Sequence, residues 1–199
     1  IVARLNYNFK DRYLATITVR RDGSSKFGES NKWANFPSFA LAWRVDNEPF
    51  FRNSGLENIF SNFKIRGSWG MTGNSELPVF QSISGLETVN FVFGGQLNSG
   101  LVENRIPNPN LRWEETTMSN IGLDMGFIND RLNFTFDYFD NDTDDLLLNV
   151  NIPSSNGFTN MLQNTGSMEN SGFEISTDYL AISKSDMQLK FSGNFSKIN

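Results

Sequence analysis

The chain alternates apolar and polar residues at almost every second position, and this pattern constrains its fold more than any other feature. From Ile1 to Phe9 the odd positions are apolar, while Arg4 and Asn6 occupy even positions. Successive side chains of a β-strand point to opposite faces, so this period predicts a strand with one oily face. A membrane-spanning helix would need about 20 consecutive apolar residues, and the polar interruptions exclude such a run.

The same alternation returns along the chain and predicts about eight long strands. Their oily positions are Tyr13, Ala15, Ile17 and Val19; Phe39, Leu41, Trp43 and Val45; Phe63, Ile65, Trp69 and Met71; Ile121, Leu123, Met125 and Phe127; Leu132, Phe134, Phe136 and Tyr138; Phe173, Ile175, Thr177 and Tyr179; Leu189, Phe191, Gly193 and Phe195. A tilted strand needs roughly 9–11 residues to cross a bilayer. The sequence therefore predicts an all-β, antiparallel transmembrane β-barrel segment.

Tight turns and long loops alternate between these strands. Matching the oily faces of the first hairpin pairs Phe9 with Tyr13 and requires an odd turn, Lys10-Asp11-Arg12. The hairpin around Asn129-Asp130 requires an even turn, and Ala181 to Asp186 is also short. Barrels of the outer membrane combine short periplasmic turns with long extracellular loops. The long loops are expected at Arg21 to Phe36, Asn74 to Arg112 and Asp140 to Asn170, the last with a strand-like hairpin segment, Leu146 to Ile152.

One connection does not fit this rule. The segment from Asp46 to Asn62 is expected on the periplasmic side, yet it is too long for a tight turn. Asn47, with Pro49 two residues later, predicts a capped helical turn. The apolar residues expected to hold it are Phe50, Phe51 and Ile59.

Composition excludes several classes of function. The net charge of −5 and the pI of about 4.8 argue against a nucleic-acid partner, which would require a basic face. The chain contains no cysteine and no histidine. Disulfides, thiolate metal sites, histidine-dependent catalytic triads and histidine-ligated zinc are therefore impossible within it. We expect neither an enzyme nor a cofactor.

Two acidic motifs could suggest further chemistry. The run from Asp140 to Asp145 begins like a calcium loop, but that loop needs Gly where Asp145 stands and Glu where Asn151 stands. We expect a solvated acidic loop instead. Glu114 and Glu115 are adjacent on a strand, point to opposite faces and cannot form an acid/base pair.

Charged residues on the polar faces of the strands would be costly toward lipid, where Arg or Lys at the bilayer midplane costs about 2–4 kcal/mol. They are therefore expected to face the lumen of a wide barrel or a plug that fills it. This set comprises Arg20, Arg44, Lys64, Arg66, Asp124, Asp137, Glu174 and Asp178.

The aromatic residues fall into two groups. Those on oily faces near strand ends are typical of interfacial girdles: Tyr7, Phe9, Tyr13, Trp43, Phe127, Phe134 and Tyr138. Others fall in the predicted loops, where they could stack on a ligand or pack on one another: Trp33, Phe36, Phe80, Phe91 and Phe93.

A series of short motifs, in order over nearly the whole chain, resembles the barrel region of SusC/RagA-type TonB-dependent transporters. The motifs are Phe9-Lys10-Asp11-Arg12-Tyr13-Leu14, Arg21-Asp22-Gly23-Ser24-Ser25-Lys26-Phe27-Gly28, Pro37-Ser38, Gly70-Met71-Thr72-Gly73-Asn74, Asn108-Pro109-Asn110-Leu111-Arg112-Trp113-Glu114, Asp144-Asp145-Leu146-Leu147 and Asn170-Ser171-Gly172-Phe173-Glu174. Each motif is weak alone, and their common order makes the resemblance specific.

The resemblance implies a barrel of about 22 strands, closed by an N-terminal plug, in the outer membrane of a Gram-negative, Bacteroidetes-like bacterium. It further implies energy supplied by TonB, a SusD-like surface lipoprotein as partner, and glycans or peptides as substrate. Residues 1–199 would form part of one barrel domain, without the plug and the remaining strands, because both ends fall inside strand-like patterns.

Two alternatives stay open at the level of sequence. Eight strands can close into a complete small outer-membrane barrel. A soluble β-sandwich could instead bury the oily faces between two sheets and bind carbohydrate through loop aromatics.

Overall fold

The computed structural model describes residues 1–199, apart from the side chain of Asn156. It contains twelve strands and one short helix. These are β1 Val2–Phe9, β2 Tyr13–Gly23, β3 Trp33–Arg44, α1 Pro49–Asn53, β4 Phe60–Asn74, β5 Gly85–Phe93, β6 Gln96–Arg105, β7 Glu114–Phe127, β8 Leu132–Asp144, β9 Leu147–Asn151, β10 Asn160–Asn164, β11 Ser167–Ser183 and β12 Gln188–Ile198. Short 3₁₀ turns lie at Glu29–Asn31, Val45–Asn47, Leu56–Asn58 and Ser154–Asn156.

Eight strands form one antiparallel sheet in the order β1-β2-β3-β4-β7-β8-β11-β12. The β5–β6 and β9–β10 hairpins are separate two-stranded sheets, inserted between neighbouring strands of the large one. Within the described chain, β1 and β12 are the two edges of the large sheet, so its eight strands do not close into a small barrel. The prediction of an antiparallel segment of about eight strands is confirmed.

The helical elements of the described residues are all short. None of them is long and apolar enough to cross a membrane.

The turn parity predicted for the first hairpin is confirmed. Phe9 pairs with Tyr13 across a three-residue turn. Lys10 and Asp11 both have positive φ angles, of 56° and 51°. The Asn8 side chain stabilises this conformation, because its Oδ1 accepts a hydrogen bond from the Asp11 amide at 3.1 Å.

The other two tight turns are short, as predicted, but their bounds differ from the predicted ones. Phe127 pairs with Leu132, so the even turn comprises residues 128–131 rather than Asn129-Asp130 alone. In the last hairpin Ser183 pairs with Gln188, because β11 continues beyond Ala181 before the chain reverses. The oily faces match across residues 128–131 as predicted, and in the last hairpin Tyr179 pairs with Phe191.

The predicted long loops contain much more strand than expected. β2 continues to Gly23 and β3 begins at Trp33, so most of the predicted loop from Arg21 to Phe36 is strand. The predicted loop from Asn74 to Arg112 contains the β5–β6 hairpin. In the last excursion, β8 continues to Asp144 and β11 begins at Ser167, while the expected hairpin is formed by β9 and β10.

The long connection between β3 and β4 forms α1, as expected from Pro49, which occupies its first turn. The residue before the helix is Glu48 rather than Asn47, and neither provides a side-chain cap for its amides. Of the three apolar residues expected to hold the segment, only Phe51 is buried; Phe50 and Ile59 are exposed.

Candidate functional site

The strand register collects the oily residues of the eight strands on one face of the sheet, here called the apolar face. One cross-strand row runs through Leu41, Gly67, Ile121 and Tyr138. Leu41 is 58% exposed and Ile121 is 61% exposed, so neither lies under a second layer of protein. A β-sandwich would bury these side chains between two sheets. The sandwich alternative is therefore wrong, and the apolar face has the character of a lipid-facing surface.

Aromatic residues border the apolar face at the tight-turn end of the sheet. Tyr7 stacks against Phe9, and Tyr13 against Trp43, each with ring centroids 6.4 Å apart. Phe127 lies 4.9 Å from the ring of Phe60. Aromatic side chains favour the boundary between lipid and water, where these residues lie. The prediction that Tyr138 also lies near a strand end is wrong, because it is the central residue of β8.

The opposite face, here called the polar face, carries a network of ion pairs. Lys64 contacts Asp124 at 3.0 Å, and Arg66 Nε contacts the same carboxylate at 3.2 Å. Arg66 Nη2 also contacts Asp137 at 2.6 Å. The arginine reaches across the ladder because Gly122 lies between: a Cβ there would be 2.6 Å from Arg66 Cζ. Four charges from β4, β7 and β8 thus partly neutralise one another.

Three of the other four predicted charges of the polar face, Arg20, Arg44 and Asp178, find partners that the sequence pattern did not indicate. Arg20 contacts Asp22 at 2.7 Å, and Arg44 contacts Asp46 at 2.8 Å. Asp178 contacts Lys190 at 2.9 Å and accepts a hydrogen bond from Ser192. Glu174 lies directly opposite Asp137 in the register between β11 and β8. Much of the charge of this face is therefore balanced within the sheet.

The hydrophobic core lies at the base of the long connections rather than within the sheet. This core, here called the loop-base core, comprises Phe27, Ala34, Phe36, Leu77, Leu111 and Trp113. The ring of Trp113 lies 5.3 Å from Phe27 and 5.6 Å from Phe36. Phe36 is only 2% exposed and lies on β3, so the expectation of a loop aromatic available to a ligand is wrong for this residue.

Four of the seven sequence motifs that carry the family resemblance converge on the loop-base core, through Phe27, Met71, Leu111 with Trp113, and Leu147. Gly28 lies against the carbonyl of Pro109, where a Cβ would overlap the backbone. Gly73 lies against the ring of Phe36 in the same way. The motifs are therefore explained by close packing between segments distant in the chain. Sequence analysis singled them out without revealing that they meet.

A polar clasp joins the core to the β9–β10 hairpin. Arg112 contacts both carboxylate oxygens of Asp145 at 2.6 Å. The Asn164 side chain donates to the backbone oxygens of Arg112 at 2.8 Å and Asp145 at 2.9 Å. The hydrogen bonds from Arg112 hold the pKa of the Asp145 carboxyl below its ordinary value and raise the pKa of the guanidinium. Both groups are therefore charged at neutral pH, as a bidentate pair requires.

The remaining loop aromatics differ in their surroundings. Trp33 is the first residue of β3 and is 58% exposed, with the guanidinium carbon of Arg21 5.3 Å from the centre of its ring. Phe91 and Phe93 lie on β5, close to the tip of the β5–β6 hairpin. Phe80 and Phe93 are largely exposed, at 63% and 76%. Of the five candidates, Trp33, Phe80, Phe91 and Phe93 are thus exposed, and Phe36 is buried.

The acidic run from Asp140 to Asp144 lies on β8 and pairs with β11, so the expectation of a loop at these positions is wrong. Asp145 follows the strand with a positive φ of 59° and joins the clasp. Among the described residues, no group of three or more acidic side chains is arranged to hold a metal ion.

A family model described as "TonB dependent receptor-like, beta-barrel" matches residues 1–198. A TonB-dependent receptor of Formosa agariphila is 39% identical over 196 residues, which is 98% of this chain. The TonB-dependent receptor SusC of Bacteroides thetaiotaomicron is 39% identical over 199 residues, 96% of this chain. The chain spans about a fifth of these relatives, 18% and 19% of their lengths.

Solved structures show the same similarity. A chain of the RagAB peptide importer in the "closed-closed" state superposes with a TM-score of 0.87 at 31% identity, covering 99% of this chain and 21% of that one. The "open-open" state gives a TM-score of 0.86 with the same coverage. The shared part therefore includes both the large sheet and the inserted hairpins.

Proposed function

Because the chain belongs to the family of TonB-dependent receptor-like β-barrels, we propose that it forms part of the wall and the extracellular loops of an outer-membrane nutrient importer. The proposed role is passage of a substrate and not catalysis. Residues 1–199 contribute wall strands to one barrel domain, which the rest of the parent protein completes with further strands and a plug.

The observation that carries this proposal is the contrast between the two faces of the large sheet. One face exposes Leu41, Ile121 and Phe195, each 58–61% accessible, along strands long enough to cross a bilayer. The other face holds the charged network around Arg66. Lipid tolerates the first face and excludes the second, so the polar face lines the lumen or contacts the plug.

This assignment also orients the segment in the membrane. The end with the three- and four-residue turns faces the periplasm, and the loop-base core with the two inserted hairpins faces the cell exterior. The exposed rings of Phe80, Phe91 and Phe93 then lie outside the cell, where they can contact a substrate or a partner.

The names of the relatives support a proposal for the substrate class and the partners. The similar solved structure is named a peptide importer, and a similar relative is named SusC. We accordingly propose import of oligosaccharides or peptides, capture of the substrate together with a SusD-like surface lipoprotein, and energy from TonB through the plug-bearing part of the parent protein. Nucleic acid has no role in this proposal.

Uptake measurements test the proposal. Cells with and without the parent gene are compared for uptake of radiolabelled oligosaccharides and of radiolabelled peptides, with and without a functional TonB. We expect loss of uptake of one substrate class in the deletion strain and the same loss without TonB. Unchanged uptake of both classes, or a parent protein recovered in the aqueous fraction without a heat-modifiable barrel band, would contradict the proposal.

A further inference from the structure

The connection between β3 and β4 is unlike the other connections at the periplasmic end of the sheet. It comprises residues 45–59, whereas the neighbouring turns comprise residues 10–12, 128–131 and 184–187. Its position at this end is fixed by the Asn47 side chain, which donates to the backbone oxygen of Asp11 in the first tight turn at 2.8 Å. Its extra length serves neither the passage of substrate through the proposed barrel nor the loop-base core, which lies at the opposite end of the sheet.

The connection lies against the apolar side of the sheet. Phe51 is 4% exposed and stacks on Phe63, with centroids 6.0 Å apart, and it also contacts Phe60 at 6.1 Å. Phe63 belongs to the apolar face, since it pairs with Met125 in the same alternation. A β-bulge between Phe60 and Asn62 brings the Phe60 ring within 5.5 Å of Phe63. α1 is thus held outside the barrel wall.

A buried carboxylate fixes the start of the helix at the edge of this face. Glu48 accepts hydrogen bonds from Trp43 Nε1 at 3.1 Å and from Arg12 Nη1 at 3.4 Å. Hydrogen bonds from Tyr13 and Trp43 hold the pKa of Glu48 below its ordinary value. A charged group with these donors belongs at the polar boundary of a membrane and not in its hydrocarbon interior.

The same connection also exposes three apolar side chains. Phe50 is 58% exposed, and its ring lies 6.4 Å from that of Trp43, so it extends the aromatic row of the apolar face beyond the strand end. Leu56 and Ile59 are 38% and 56% exposed. They lie three residues apart around a 3₁₀ turn, which places them on the same side.

We propose that residues 49–59 form a membrane-interface anchor, in which Phe50, Leu56 and Ile59 insert between the headgroups and acyl chains of the periplasmic leaflet. Phospholipid is the occupant because Phe50 adjoins Trp43 of the apolar face and Phe51 packs on Phe63 of that face, so the connection lies on its lipid side. The anchor rests on the proposed barrel wall. The anchor holds this part of the barrel at a fixed depth in the membrane, at a position where the other hairpins have only a tight turn.

Depth measurements on the intact parent protein, in a cysteine-free background, test the anchor. Single cysteines replace Phe50, Ile59 and, as a matched exposed control in the same connection, Glu57; each is labelled with bimane after reconstitution into phosphatidylethanolamine and phosphatidylglycerol vesicles. We expect lipid nitroxides near the headgroup to quench the labels at Phe50 and Ile59 at least about twofold more strongly than the label at Glu57. Aqueous iodide should quench the three labels in the opposite order.

A fourth label, at Leu41→Cys in the centre of β3, separates the anchor from the wall. Nitroxides deep in the acyl chains should quench this label, and failure to do so would overturn the proposed wall itself. Quenching at Leu41 combined with free access of iodide to Phe50→Cys and Ile59→Cys would overturn the anchor alone. If iodide reaches these two labels in vesicles but not in whole outer membranes, a protein covers the surface. This result would also overturn the anchor. Heat-modifiable bands confirm that each variant is folded.

Discussion

Arg112 and Asp145 form a bidentate ion pair, with both nitrogen–oxygen distances at 2.6 Å, although they are 33 positions apart and belong to different excursions of the chain. Arg112 follows Leu111 of the loop-base core, and Asp145 precedes β9. The pair therefore ties the β9–β10 hairpin to the core at the base of the long connections.

Replacement of Asp145 by Asn should loosen this hairpin without unfolding the barrel. The Arg112 side chain is 56% exposed, so we expect a loss of only about 0.5–1 kcal/mol. Local opening should make cleavage by an added protease within residues 147–164 about two- to fivefold faster. Asp144→Asn, which removes the adjacent carboxylate outside the pair, should leave this rate unchanged; equal rates for both variants would refute a role for the clasp.

The clasp should also respond to acid. Because Arg112 lowers the folded-state pKa of Asp145, its stabilisation is complete above the ordinary carboxyl pKa of about 3.9 and declines as the pH falls through the lowered value. A nitroxide at Asn149→Cys on β9 should gain mobility only below about pH 4. With Asp145→Asn the label should already be mobile at pH 7 and show no further step; an acid step of the same size in that variant would count against the assignment.

Phe36 and Phe93 should behave in opposite ways when truncated to Ala. Phe36 is 2% exposed in the loop-base core, and loss of a buried Phe side chain costs about 3–5 kcal/mol. Its replacement should lower the temperature at which the heat-modifiable band shifts. Phe93 is 76% exposed, so its replacement should leave that temperature unchanged and reduce substrate uptake. Normal uptake by Phe93→Ala would remove this residue from the candidate contacts.

Two glycines provide a matched pair on β4. A Cβ at Gly73 would overlap the ring of Phe36, whereas a Cβ at Gly67 would meet only the backbone oxygen of Asn120, at 3.9 Å. Gly73→Ala should destabilise the protein by about 1–3 kcal/mol through overpacking. Gly67→Ala should be tolerated, because 3.9 Å is an ordinary contact distance and Gly67 lies on the apolar face. The temperature at which the heat-modifiable band shifts is measured for each variant. Equal temperatures for the two variants would contradict the packing argument.

The candidate sites were predictable to different degrees. The charges of the polar face could be identified because their positions in the strand period exclude them from lipid. Their mutual pairing could not, since Arg66 reaches Asp137 only where Gly122 leaves space on the strand between them. The distinction between Phe36 and Phe93 was likewise invisible, because both are aromatic residues in segments of mixed composition. Burial of Phe36 depends on Trp113, 77 positions away.

The sequence by itself determined which residues of each strand share a face and whether a tight turn contains an odd or an even number of residues. Both depend on local geometry: neighbouring Cβ atoms alternate across a strand, so Phe9 must meet Tyr13 if the oily faces are to match. Only the tertiary structure decided where strands end, which charges pair, and that the motifs containing Gly28 and Gly73 pack into one core. These features arise from contacts between distant segments, such as Gly28 against Pro109, and no local periodicity encodes such contacts.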